Sequence, residues 1–188
     1  MNLAKQFNHD FKNGPFQLFN SNGNPIYYEN PDGYWSKNEY DSDGNGTYYE
    51  NSTGYWYKTK FDSNGNEIYY ENSTGFWYKR EFDSNRNQIY FEDSDGFWYK
   101  REFDSNGNQT YYENSTRYWS KSEYDSNGNI IYFEDSQGFW WKKEYDSNGN
   151  QIYYETSNTG VVYDNHPTPS CNGKIVEIEG KKYQLKEI

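Results

Sequence analysis

Aromatic and polar residues alternate along this chain in short blocks, and the block pattern returns every 21 residues, as Asp41, Asp62, Asp83, Asp104, Asp125 and Asp146 show. The copy Asp62–Phe82 displays the elements. Glu67–Glu71 and Phe76–Phe82 are short, aromatic-rich runs of the kind that form strands. Asn64-Gly65 separates one run from the preceding copy and suits a tight hairpin in which both residues take positive φ. Asn72-Ser73-Thr74-Gly75 is a longer polar break closed by glycine. Rings fall side by side rather than three or four apart, so no helical period survives. Each unit therefore predicts one β-hairpin, and the tandem units predict an antiparallel β-meander. A fixed period of this length means stacked supersecondary units, not one core around one pocket.

Strand alternation assigns faces. In the first run Ile68 and Tyr70 share one side, and Glu67, Tyr69 and Glu71 the other. In the second, Phe76, Tyr78, Arg80 and Phe82 lie opposite Trp77, Lys79 and Glu81. Some positions never vary between copies: Tyr27, Tyr48, Tyr69, Tyr90, Tyr111, Tyr132 and Tyr153, and Trp35, Trp56, Trp77, Trp98, Trp119 and Trp140. The position after the tryptophan drifts through Ser36, Tyr57, Tyr78, Tyr99, Ser120 and Trp141. Identical rings at a fixed period are expected to form ladders, each packed on its equivalents, in place of an aliphatic core. The same rings are the candidate binding residues: the six tryptophans with Tyr57, Tyr78, Tyr99 and Trp141. Arg86 and Arg117 stand where the other copies carry a turn glycine, which puts a side chain at positive φ.

Composition adds a boundary condition. The chain has 188 residues, 22% aromatic and 32% hydrophobic, with a formal net charge of −11. Such low apolar content suggests disorder by composition alone, and the regular ring pattern overrules it. About thirteen strands in one sheet span roughly 60 Å, and a sheet that long twists or coils. Residues 1–19 read as an N-terminal cap, 20–160 as the repeats, and 161–188 as a linker and C-terminal β-hairpin cap. In the tail, Val176, Ile178, Tyr183 and Leu185 form its apolar side. No leader or apolar span is visible, which points to the cytoplasm and away from a membrane. A single Cys171 fits a reducing compartment. Sequons such as Asn51-Ser52-Thr53 read as turns.

Catalytic material is sparse. His9 and His166 stand at opposite ends, and the carboxylates and serines recur in every unit, whereas catalysis needs one preorganised constellation. No enzyme, metal or cofactor is expected. Asp62-Ser63-Asn64-Gly65-Asn66 is similar to a calcium loop, but Glu67 occupies the glycine position and Ser73 the bidentate one. Asp62 and its equivalents read instead as acceptors for turn N–H groups. The acid excess recurs in each copy, so direct nucleic-acid binding is disfavoured for want of a basic stripe.

The Tyr/Phe-Asp-x-x-Gly-Asn core, best seen in Tyr40-Asp41-x-x-Gly44-Asn45, Tyr124-Asp125-x-x-Gly128-Asn129 and Tyr145-Asp146-x-x-Gly149-Asn150, resembles the YD-repeat (RHS) proteins. That resemblance implies hairpins in a long spiralling sheet over residues 20–154. Three other copies carry Phe, and Arg86 departs from the pattern. The family's toxin-enclosing shells need many more repeats with a cargo domain, so encapsulation does not carry over. Weaker likenesses are to choline- and glucan-binding wall repeats and to MORN-type repeats. The expectation is an all-β, non-enzymatic repeat scaffold that binds another protein through its aromatic-acidic face or free edge. A basic, nucleic-acid-handling partner, sequestered or inhibited, suits the charge. The alternative is a carbohydrate-binding module using the Trp and Tyr rows. Free edges also allow oligomers.

Overall fold

A computed structural model of the chain describes residues 3–166 and 173–186. Cys171, most of the proline-bearing connector and Ile188 lie outside the described residues. A short helix α1 (Leu3–Gln6) and a 3-10 turn at Phe11–Asn13 precede the strands. These are β1 (Phe16–Phe19), β2 (Pro25–Glu29), β3 (Trp35–Tyr40), β4 (Gly46–Asn51), β5 (Trp56–Phe61), β6 (Glu67–Asn72), β7 (Trp77–Phe82) and β8 (Gln88–Asp93). They continue as β9 (Trp98–Phe103), β10 (Gln109–Asn114), β11 (Trp119–Tyr124), β12 (Ile130–Asp135), β13 (Trp140–Tyr145), β14 (Gln151–Thr156), β15 (Gly160–Asp164), β16 (Ile175–Ile178) and β17 (Lys181–Gln184). β1 to β15 form one antiparallel sheet in strict chain order, an open all-β meander. It has fifteen strands rather than thirteen. The extra strands are β1, within the segment read as an N-terminal cap, and β15, which runs from Gly160 to Asp164 into the segment read as a linker. β16 and β17 pair separately as the expected C-terminal hairpin. Val176 sits opposite Tyr183 there, as the apolar pattern requires, although Ile178 and Tyr183 remain exposed.

The hairpin turns follow from one aspartate each. Asp62 Oδ1 accepts the N–H groups of Asn64 and Asn66, and its Oδ2 accepts the Asn66 amide. Asp41, Asp83, Asp104, Asp125 and Asp146 repeat this set. Led by the asparagine bond, these donors hold each carboxyl below its ordinary pKa. The two-residue turn expected at Asn64-Gly65 is not formed. Gly65 has φ +79°, Asn64 is not left-handed, and the Asp62 N–H instead reaches the Asn66 carbonyl at 2.9 Å. The closure is a longer loop with one glycine at positive φ.

That loop feeds a bulge, and the bulge overturns one face assignment. Lys60 pairs with Tyr69, but Phe61 pairs with Glu67, so Ile68 is the extra residue. Ile68 and Tyr69 therefore turn to the same side, while Glu67 joins the side of Tyr70 and Tyr78. Glu67 there accepts the Tyr78 hydroxyl and lies 3.1 Å from Arg80. A register shift recurs at each such turn from β1–β2 to β13–β14.

Arg86 and Arg117 occupy the glycine positions at φ 67° and 68°, as the sequence predicts. Left-handed backbone disfavours a side chain by about 1 kcal/mol. Arg86→Gly is expected to raise stability by up to about 1 kcal/mol, read as an upward shift of the urea midpoint at constant m-value.

At the other end of each hairpin, Asn72 Oδ1 accepts the Thr74 N–H and hydroxyl, and Gly75 N–H returns to the Asn72 carbonyl. The Ser73 N–H reaches past its own hairpin to the Trp56 carbonyl at 2.8 Å. Ser52, Ser94, Ser115, Ser136 and Ser157 do the same to Trp35, Trp77, Trp98, Trp119 and Trp140. Each unit is thus bonded to the one before it, and this fixes the step between them.

The step is sheared. Lys58 pairs with Glu71, and Glu71 pairs with Trp77, so Lys58 lies in line with Trp77 and not with its equivalent Lys79. Equivalent residues are offset by two positions per unit. The expected ladders of invariant rings consequently do not form. The continuous ladder belongs to the drifting positions on the opposite side: Tyr49, Tyr57, Tyr70, Tyr78, Phe91, Tyr99 and Tyr112, with neighbouring centroids 5.2–6.0 Å apart. Tyr55, Phe76, Phe97 and Tyr118 lean on it from the loops. Ser120 interrupts the file, which resumes at Phe133 and Trp141. We call this the ladder face and the other the tryptophan face.

A single layer has little interior. Among the described residues the buried apolar side chains are Ala4, Phe16 and Tyr27, all at the N-terminal end. There α1 lies on the tryptophan face of the first unit, with the Ala4 N–H donating to Glu29 at 3.1 Å.

Candidate functional site

The tryptophan face carries the same cleft in several units, because each bulge brings two adjacent side chains to one side. The pairs Ile26-Tyr27, Thr47-Tyr48, Ile89-Tyr90 and Ile131-Tyr132 each line one cleft. A lysine from the following strand forms one wall: Lys37, Lys58, Lys100 or Lys142. The residue two places on completes it: Glu39, Lys60, Glu102 or Glu144. The four clefts measure about 410, 770, 410 and 450 Å³ in chain order.

Their floors are neutral phenols held by carboxylates. Tyr27 and Tyr132 donate to Glu29 and Glu134 at 2.9 and 3.1 Å, and Tyr69 and Tyr153, in units outside the four clefts, donate likewise to Glu71 and Glu155 at 3.2 and 2.8 Å. Burial, then the glutamate, pushes Tyr27 up to about 12. Tyr48, Tyr69, Tyr90, Tyr111 and Tyr132 move the same way, with burial the leading cause. Such phenols stay protonated, so they serve as donors and apolar surface.

Both ends of the row are covered. Leu3 of α1 lines the first cleft. At the far end His166 packs on Tyr153 at 5.6 Å and bonds Glu144 at 3.0 Å and Asp164 at 2.7 Å, and these two carboxylates, Asp164 foremost, raise its pKa.

The ten candidate ring residues divide between the two sides. Trp35, Trp56, Trp77, Trp98, Trp119 and Trp140 lie half-buried on the tryptophan face, whereas Tyr57, Tyr78, Tyr99 and Trp141 belong to the ladder face. No single surface contains all of them. Lys58, Lys79, Lys100 and Lys121 each place an ammonium 4.9–5.6 Å from the indole two residues before them. Cation–π contact thus already engages the ring faces on which a sugar would stack. Sequence reasoning missed the cleft lysines and the Glu39/Lys60 position. Their signal was present in the alignment of the copies, but only strand register shows that they share a wall.

No family model matches the sequence, and no curated protein matches it either. Among solved structures the chain is similar to part of the Photorhabdus luminescens Tc holotoxin pore carrying TccC3-D651A, with TM-score 0.46, 12% identity, and coverage of 78% of this chain and 9% of that one. A TcdB2–TccC3–Cdc42 complex gives TM-score 0.46 and 13% identity over 76% of this chain and 9% of that one. A porin-like protein from Bacteroides uniformis gives TM-score 0.32 and 10% identity over 91% of this chain and 85% of that one. The chain spans about 9% of the length of those two toxin-complex chains. The chain is a tandem β-hairpin array in which Asp-x-x-Gly-Asn cores, with Arg86 in place of one glycine, close hairpins of one continuous meander, a motif that resembles the YD-repeat (RHS) proteins.

Proposed function

We propose that this repeat scaffold is a non-enzymatic, cytoplasmic protein-binding module whose working surface is the tryptophan face. The observation that carries this reading is the row of repeated clefts, capped at both ends by the chain itself and open between. On that stretch Glu81, Glu102 and Glu123 are exposed, one per unit. Strands two apart lie about 10 Å from one another, so the carboxylates form a periodic acidic file. A basic segment of another protein fits it, with its aliphatic stems over Tyr90, Tyr111 and Tyr132. Covering the basic surface of a nucleic-acid-handling protein in this way would sequester or inhibit it.

The test is titration of a lysine- and arginine-rich peptide at several ionic strengths. Affinity should fall steeply with salt, and Glu81→Gln, Glu102→Gln and Glu123→Gln combined should weaken binding at least tenfold at 0.1 M, where screening acts over about 10 Å. Salt-insensitive binding, or a triple variant that binds equally well, overturns the reading.

A further inference from the structure

The second cleft differs from its copies in its lining, and one of the changes reverses a charge. Compared with the cleft lined by Ile131, Tyr132, Lys142 and Glu144, it carries Thr47 in place of Ile131, Thr59 in place of Lys143, Lys60 in place of Glu144 and Phe61 in place of Tyr145. The cleft extends from Lys37 on β3 to Ile68 on β6 and holds about 770 Å³ against 450 Å³. Lys60 is the one basic residue at a position that reads Glu39, Glu81, Glu102, Glu123 and Glu144 elsewhere.

The charge change alters what its neighbour does. Lys37 is held by Glu39 at 3.1 Å, and Lys142 by Glu144 at 3.2 Å, each pair two residues apart on one strand. Lys58 meets Lys60 at that place instead. Among the described residues neither Lys58 nor Lys60 forms an ion pair. Both are exposed, and Lys60 lies over the Tyr69 ring at 5.4 Å. Of the carboxylates nearby, Glu39 is ion-paired with Lys37, Asp41 accepts the Asn45 amide, and Glu71, opposite Lys58 on β6, accepts the Tyr69 hydroxyl and lies beyond ion-pair distance. Lys58 and Lys60 therefore share one side of β5 with their Cα atoms about 7 Å apart, the spacing of alternate residues on a strand, their ammonium groups lying over Trp56 and Tyr69. Tyr48, Phe61 and Ile68 provide an apolar bed beside them.

We infer that this cleft binds an extended acidic peptide whose carboxylates occupy alternate residues. An extended ligand presents every second side chain to one side at the same repeat as Lys58 and Lys60, so both charges are met without bending it. A lone small anion spans only one ammonium. The site is separate from the acidic file and opposite to it in sign, and it serves to add an acidic segment to an otherwise acidic protein.

Fluorescence anisotropy on the full chain, at about 0.15 M salt to screen the net charge, tests this. The probes are a labelled Glu-Val-Glu-Val-Glu peptide and its Gln-Val-Gln-Val-Gln counterpart. Wild type should bind the acidic probe at least tenfold more tightly than the glutamine one. Lys60→Glu should remove that preference while leaving the fold intact, since the other copies carry glutamate there. Glu102→Lys, beside Lys100, should add a second site and raise the stoichiometry. The inference is overturned by equal binding of the two probes, by no binding to wild type, or by a Lys60→Glu chain that binds as wild type does. The basic-peptide titration does not depend on Lys60, so failure here leaves that reading standing, and the reverse holds too.

Discussion

Phe16→Ala is expected to remove about 3 kcal/mol from the N-terminal unit while leaving the middle of the array almost unchanged. Phe16 is 8% exposed and packs against Tyr27 at 6.2 Å, Phe7 at 5.6 Å and His9 at 5.4 Å. Ala4, fully buried, lies in the same cluster. Phe16 is also the cross-strand partner of Glu29, which is 3% exposed and satisfied by the Ala4 N–H and the Tyr27 hydroxyl. A loosened cap withdraws the first of those donors, so lost packing and a poorly satisfied carboxylate act together. In a one-layer array each unit touches only its neighbours, and the damage stays local. Hydrogen exchange is the measurement. Amides of α1 and β1–β3 should lose protection, while β7–β13 keep theirs. A uniform loss along the sheet would mean that the array unfolds as one block and that its units are not separable.

Features confined to a few consecutive residues were legible in the sequence. The Asp-x-x-Gly-Asn turn holds its donors and acceptor within five positions, so the capping role of Asp62 and the left-handed Arg86 and Arg117 follow without knowledge of pairing. Features that depend on register were not. Alternation alone cannot reveal the bulge at Ile68, because the extra residue is defined by the partner strand that skips it. The same limit misplaced the ladder. Strict repetition of tyrosine and tryptophan suggests that like packs on like, yet the shear sets Trp77 in line with Lys58 and Glu71. The candidate site inherits the error. Its tryptophans were visible as a period, but the cleft wall made by Lys58 and Lys60 appears only once β3 to β6 are laid side by side. Burial of α1 over the first unit was also beyond reach, since Leu3–Gln6 is too short to announce itself by period.

The ladder, not the invariant indoles, is expected to hold the sheet together, and Tyr78→Ala against Trp77→Ala decides between them. Tyr78 stacks on Tyr70 at 5.2 Å and Phe91 at 6.0 Å, meets Phe76 edge-on, carries the Arg80 guanidinium at 4.3 Å and donates to Glu67. Its truncation breaks two stacks at once and strips Glu67 of a donor. A fully buried ring is worth about 3–5 kcal/mol, so the half-buried Tyr78 should cost about 3 kcal/mol. Trp77 has the larger ring, but among the described residues its ring's specific partner is the Lys79 ammonium at 4.9 Å, and its loss should cost about 1–2 kcal/mol. The converse change makes the comparison independent of damage. Ser120 sits opposite Tyr112 at the gap before Phe133, where Tyr99 elsewhere bridges Phe91 and Tyr112. Ser120→Tyr should join the two halves of the file and stabilise the chain by about 1 kcal/mol. Urea unfolding of all three variants gives the order. If Trp77→Ala proves the more damaging, or if Ser120→Tyr adds nothing, the rings of the ladder face are passengers, and cohesion resides in the serine-to-tryptophan backbone bonds that stitch each unit to the next.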